Sequence, residues 1–77
     1  MNSMTYGKRV KHHREERHMT QVELAERSAV SQAYISQLER GVYADLSVSV
    51  VLRLAVALQV SVVDIIGDPI MEERRAG

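Results

Sequence analysis

The stretch TQVELAERSAVSQAYISQLERG, residues 20–41, sets two short apolar patterns at helical spacing almost back to back. Thr20 followed by Glu23 is the T-x-x-E signature of a capping box, so a helix starts here and ends near Ser28. Ser31 is the next N-cap, and a further helix runs from Gln32 to Arg40, where Gly41 supplies a left-handed stop. Only Ala29, Val30 and Ser31 lie between the two. A turn this short forces the helices to cross steeply. Ala25, one turn before the end of the leading helix, gives the small side chain that a close crossing needs, and Val30 plugs the corner. Ile35 and Leu38, three apart, hold the following helix down on the core.

The rest of that following helix has no packing task. At about 100° per residue, Gln32, Ala33, Ser36, Gln37 and Arg40 share an arc of roughly 140°, while Tyr34, Ile35, Leu38 and Glu39 take the opposite side. One face is anchored. The other offers two amides, a hydroxyl, a methyl and a guanidinium. A glutamine both donates and accepts, which matches the N6 and N7 edge of adenine in the major groove. An amide-rich face alone is also what any solvated helix surface looks like. Its place directly after a tight two-helix turn favours the reading of base edges.

Working outward, Thr5 caps a first helix reaching about Arg17, with Val10 turned inward. Ser47 starts a fourth helix after the loop VYADLS, with Val51, Leu54, Ala55 and Leu58 on one face. Ser61 and Asp64 repeat the capping logic for a short fifth helix ending at Gly67, and Pro69 closes that element. The expected fold is therefore all-α, a compact five-helix domain over residues 1–67. Residues 68–77 are expected to form a polar, frayed tail.

The chain of 77 residues contains no Cys, Phe or Trp, so its small core is aliphatic and disulfides and thiolate metal sites are excluded. The longest apolar stretch, 48–60, is broken by Ser49, Arg53 and Gln59, too polar for a membrane span, and no signal-peptide run opens the sequence. A cytoplasmic, nucleoid-associated protein is expected, with no membrane contact. Net charge is zero, which taken alone argues against nucleic acid. Its distribution is polarised. Residues 1–20 carry Lys8, Arg9, Lys11, Arg14 and Arg17 against Glu15 and Glu16, and residues 61–77 carry Arg74 and Arg75 against Asp64, Asp68, Glu72 and Glu73. Such an asymmetry orients a protein on a polyanion even when the sum vanishes.

Residues 20–41 resemble the helix-turn-helix of the phage-repressor and Cro-like, or XRE-type, transcriptional regulators. The resemblance extends to GKRVKHHREERHMTQ before the motif and to VLRLAVALQVSVVDII after it, about residues 5–66. It implies a lambda-repressor-like domain that binds operator DNA, usually as a dimer, with the helix at 32–40 in the major groove. Gln32, Ala33, Ser36 and Gln37 fall on the base-reading positions, and Gln21, first in its helix, on a phosphate-contacting one. Arg40, Tyr43 and Lys11 are expected to join Gln21 on the backbone. Arg14 and Glu39 fall on the family's ion-pair positions. Ala29 and His18 stand where the family favours glycine, at a cost of roughly 1 kcal/mol where the backbone is left-handed. His13 stands where it usually has leucine, and Leu46 where proline is frequent.

Other chemistries find little support. His12 and His13 splay apart on one helix and His18 lies beyond its end, so neither spacing is that of a helical zinc pair; no metal or other cofactor is expected. Ser28, Ser31, Ser36, Ser47, Ser49 and Ser61 read as caps or surface hydroxyls, and no enzyme-like constellation or glycine-rich phosphate loop stands out. Val60, Val62, Val63, Ile65, Ile66 and Ile70 crowd the C-terminal region more densely than a small core can absorb. Val62 and Ile65, with Ile70, are the expected homodimer contacts, while Val60, Val63 and Ile66 help close the core. Double-stranded DNA is the expected partner, with a toxin or RNA polymerase as further candidates. Repressor, restriction–modification controller and antitoxin all fit, and a protein-bridging module of the same fold is the rival from another class.

Overall fold

The computed structural model describes residues 5–67, which form five helices and no strand: α1 (Tyr6–Glu16), α2 (Gln21–Ser28), α3 (Gln32–Glu39), α4 (Val48–Leu58) and α5 (Val62–Ile66). Each starts on the hydroxyl residue that the sequence marks. Thr5, Thr20, Ser31, Ser47 and Ser61 accept from the backbone N–H three residues on, at 3.0–3.2 Å. The box is reciprocal at α2, where Glu23 accepts from the Thr20 N–H at 2.9 Å, and at α5, where Asp64 accepts from the Ser61 N–H at 2.9 Å. These bonds hold the carboxyls of Glu23 and Asp64 below their ordinary range.

The helices stop where the backbone turns left-handed. His18 (φ 54°) and Ala29 (φ 59°) adopt that conformation at the two positions where glycine would be cheaper, and Gln59 (φ 57°), not anticipated, does so after α4. The Val30 N–H bonds the buried Ser28 hydroxyl at 3.2 Å, and the Arg53 guanidinium reaches the Ala29 carbonyl at 3.4 Å. Together they pin the turn between α2 and α3 from both sides.

The core is aliphatic. Val10, Leu24, Ile35, Leu38, Leu54, Leu58 and Ile65 are fully buried, with Met19, Val30, Val51 and Ala55 close behind. Burying each of the larger side chains contributes about 1.5–3 kcal/mol. Helix α3 lies against both α1 and α2, α4 covers α2, and α5 is wedged against α1 and α4. Gly7 makes the approach of α1 to α3 possible, because a Cβ there would overlap the Leu38 carbonyl.

Helix α5 corrects two expectations. Val62 and Ile65 do share a face, but that face points inward: Ile65 is fully buried and Val62 half-buried, whereas Val63 is 50% exposed. The helix is short and packed against α1 and α4, and that packing turns Ile65 inward. Ile65 is core rather than an exposed contact, and Val63, expected to help close the core, turns outward, while Val60 and Ile66 do pack against the core. Ile70, Pro69 and the tail lie outside the described residues.

Candidate nucleic-acid interface

The amide-bearing side of α3 faces out. Gln32, Ala33 and Arg40 are exposed, Ser36 and Gln37 are half-buried, and Ile35 and Leu38 behind them are fully buried. The eight residues of α3 are thus seated by two apolar anchors, with the polar arc left over.

A buried ion pair fixes the far end of this helix. The Arg14 Nε donates to Glu39 Oε2 at 2.7 Å and Nη2 to Oε1 at 2.9 Å, a bidentate contact with side chains only 11% and 4% exposed. The third donor of Arg14, Nη1, reaches the Met19 carbonyl at 2.7 Å in the loop before α2. One guanidinium therefore ties α1, the approach to α2, and α3 together. Its bond to Glu39 raises the Arg14 pKa above its ordinary value, so the charge persists at any accessible pH.

Gln21 belongs to the same network. Its Nε2 donates to Glu39 Oε1 at 3.1 Å, an arrangement with no signal in the sequence. The bond orients the amide at the first position of α2, where the backbone N–H groups of Gln21 and Val22 have no partner within the helix. Glu39 thus orients the Gln21 amide and braces α3 with the same carboxylate. Lys11 is exposed on α1.

Gln37 and Tyr43 are also joined. Gly41 (φ 83°) turns the chain back after α3, with its N–H on the Leu38 carbonyl at 3.0 Å and that of Val42 on the Gln37 carbonyl at 3.1 Å. Tyr43 then lies flat on Tyr34, ring centroids 4.5 Å apart and planes 17° from parallel, and its hydroxyl donates to Gln37 Oε1 at 2.7 Å. Burial, with Tyr43 alongside, raises the pKa of Tyr34. Tyr43 thus sits against α3 itself. The tyrosine spacing, nine residues with a glycine between, was the one available clue to the stack.

The remaining candidates lie elsewhere. His12 and His13 approach Glu16 at 3.4 and 3.6 Å on α1, and His13 is half-packed as expected. Arg17 folds back onto the His13 carbonyl at 2.9 Å. Among the described residues, no cluster of three metal-ligating side chains is present and no helix is long and apolar enough to cross a membrane.

Comparison with known proteins agrees with this geometry. The family model described as helix-turn-helix matches residues 10–65. An immunity repressor protein of Bacillus phage phi105 is 42% identical over 65 residues, which are 84% of this chain but 44% of the repressor, so the chain spans less than half of that relative. Among solved structures, the restriction-modification controller protein C.AhdI from Aeromonas hydrophila superposes with a TM-score of 0.74 at 27% identity, over 80% of this chain and 92% of that one. A SinR protein/SinI protein complex gives a TM-score of 0.78, also at 27% identity, over 94% of this chain and 76% of that one. The chain belongs to the XRE-type helix-turn-helix family.

Proposed function

We propose that this DNA-binding transcriptional regulator acts as a repressor, binding a two-fold symmetric operator as a homodimer with α3 in the major groove. The observation that carries the reading is the exposed polar arc of α3, backed by fully buried Ile35 and Leu38 and braced by the Arg14–Glu39 pair. A reading head must be rigid behind and polar in front, and α3 is both. Gln32, free of side-chain bonds among the described residues, keeps a donor and an acceptor for one base. Ala33 meets a thymine methyl, and Ser36 and Gln37 lie further down the same arc. Gln21, Arg40 and Lys11 take the backbone phosphates, Gln21 with the help of the open N–H groups of α2. The similarity to a phage immunity repressor favours repression over the other regulatory roles.

The homodimer reading moves to a different surface. Val48, Leu52 and Val56, spaced four apart on α4, are 75%, 50% and 77% exposed, and Val63 on α5 is 50% exposed. An apolar stripe of this kind on a small domain favours contact with a second copy. Val63 takes the place that Ile65 was expected to fill, with Val62 at its edge.

The test is selection of bound sequences from a random duplex pool, followed by titrations over a salt series. A two-fold symmetric consensus is expected. Gln32→Ala should cost about 1–3 kcal/mol on the selected operator and relax one base position per half-site, leaving random-DNA affinity unchanged. Arg40→Ala should weaken both duplexes alike and reduce the salt slope by about one. Absence of any complex at low salt would move the chain to the protein-bridging class.

A further inference from the structure

Gln37 is not a free amide. Its Oε1 is occupied by the Tyr43 hydroxyl at 2.7 Å, while its Nε2 makes no bond among the described residues and is not a buried unsatisfied atom, hence open to solvent. A phenol is a better donor than acceptor, so the carbonyl oxygen is the end of the carboxamide that it holds. The carboxamide is planar, and pinning its oxygen turns its NH2 away from Tyr43. Tyr43 is itself fixed, by stacking on Tyr34 and by the Gly41 turn that delivers it there. One of the two lone pairs of Oε1 is thereby taken and the amide plane is fixed, so the NH2 is the freer end of Gln37, and the adenine match available to a free glutamine, one N–H given and one received, is disfavoured.

We propose that Tyr43 is a specificity-setting positioning residue, which locks Gln37 as a donor and so selects a base with a keto oxygen at the position Gln37 meets. Guanine offers two adjacent acceptors, N7 and O6, to the two N–H of the amide and thymine offers O4, whereas adenine sets its one acceptor, N7, beside an N6 amine, and that amine, like the N4 amine of cytosine, would face a donor with a donor. The inference rests on the reading of α3 as the base-reading helix and adds to it the chemistry of one contact. Gln32, with nothing holding its oxygen, is under no such restriction. The two glutamines of α3 are thus not equivalent: Gln32 both gives and accepts, whereas Gln37 chiefly gives.

The experiment is parallel selection from a random duplex pool with the wild-type chain, Gln37→Ala, Tyr43→Phe and the double variant. Tyr43→Phe keeps the ring on Tyr34 and removes only the hydroxyl. At the position that Gln37→Ala relaxes, the wild type should select guanine or thymine. Tyr43→Phe should reduce the preference over adenine about three- to tenfold, the effect of one hydrogen bond, and should change nothing further once Gln37 is alanine. Gln37→Glu is the second probe: a carboxylate still accepts from Tyr43 but offers no N–H, and should shift preference toward the N4 amine of cytosine. A wild-type preference for adenine at that position overturns the inference. So does a Tyr43→Phe variant that keeps the same consensus and only binds all duplexes more weakly with a shallower salt slope, which would make Tyr43 a phosphate contact alone. In both cases the consensus itself leaves the base-reading role of α3 standing. If the wild type selects no consensus, that role fails and the inference fails with it.

Discussion

Removing the Glu39 carboxylate should be far more damaging than removing both partners of its ion pair. Glu39→Ala takes away three bonds, two from Arg14 and one from Gln21, and leaves a guanidinium whose side chain is 11% exposed with the Met19 carbonyl as its remaining partner. Stranding a buried charge costs about 3–5 kcal/mol, and the sliver of solvent at Arg14 puts the expected loss near the lower end, about 3 kcal/mol. A domain of 77 residues has roughly 4–12 kcal/mol of stability in all, so this is a large share of it. In a thermal melt followed by circular dichroism, the midpoint should fall by about 12–24 °C. The double variant Arg14→Met, Glu39→Leu should recover most of that loss, because two desolvated charges are exchanged for apolar volume and the uncompensated cation is gone. It should nonetheless bind operator more weakly than wild type, since Gln21 loses its guide and α3 its brace. A Glu39→Ala loss below about 0.5 kcal/mol would refute the reasoning, because that is the range of an exposed pair with no structural duty.

Other outcomes follow from single features of the fold. Gly7→Ala drives a methyl into the Leu38 carbonyl, so α1 and α3 must separate; denaturant titration should show a loss of about 1–3 kcal/mol, with operator affinity falling as well. Ala29→Gly removes a left-handed alanine, and net of the freer unfolded chain it should stabilise by roughly 0.5–1 kcal/mol in the same assay. The carboxyls of Glu23 and Asp64 are depressed in the fold, so what they contribute is present above their unfolded values near 4.5 and 3.8 and is lost as pH falls through the lower folded ones. An acid melting series should therefore show stability declining below about pH 4.5, and Glu23→Gln with Asp64→Asn should flatten that decline.

Short-range features were the most legible in the sequence. Five N-caps and, to within a residue, the three connecting segments before α4 depend on residues within three or four of one another, and caps and turns are encoded at that range; the left-handed His18 and Ala29 were marked by the family resemblance, and the left-handed Gln59 by nothing. The inner face of α4 was equally plain, because a helix of eleven residues repeats its period long enough to fix its phase. Helix α5, at five residues, does not. Its periodicity says that Val62 and Ile65 share a face, but only the packing against α1 and α4 says that the face is inward. The site divides in the same way. The polar arc of α3 and the Arg14–Glu39 pair could be read from spacing and resemblance. The bonds from Gln21 to Glu39 and from Tyr43 to Gln37 could not, since each depends on the direction of a side chain after the backbone has turned, and a helical wheel treats every glutamine on an exposed face as equivalent.

That difference bears on how so small a head reads a site. On the proposed reading, one copy of α3 brings four side chains to base edges, each well-made contact being worth about 1–3 kcal/mol of discrimination. Not all of them can be bidentate: Ala33 has only a methyl and Ser36 a single hydroxyl. One copy therefore lies near the bottom of the roughly 4–10 kcal/mol that separates specific from non-specific binding in DNA-binding proteins. Two devices raise the figure without enlarging the domain. A second copy joined through the α4 stripe doubles the contacts and adds a spacing requirement. Fixing a glutamine beforehand adds no contact but makes the wrong base more costly, because a donor held against a donor cannot rotate away. The free chain has already lost the rotamer freedom of Gln37 to the Tyr43 bond, so that entropy is not lost again on the DNA. The aromatic stack at Tyr34 and the glycine turn at Gly41 are then parts of the reading head, although neither residue lies on its polar arc.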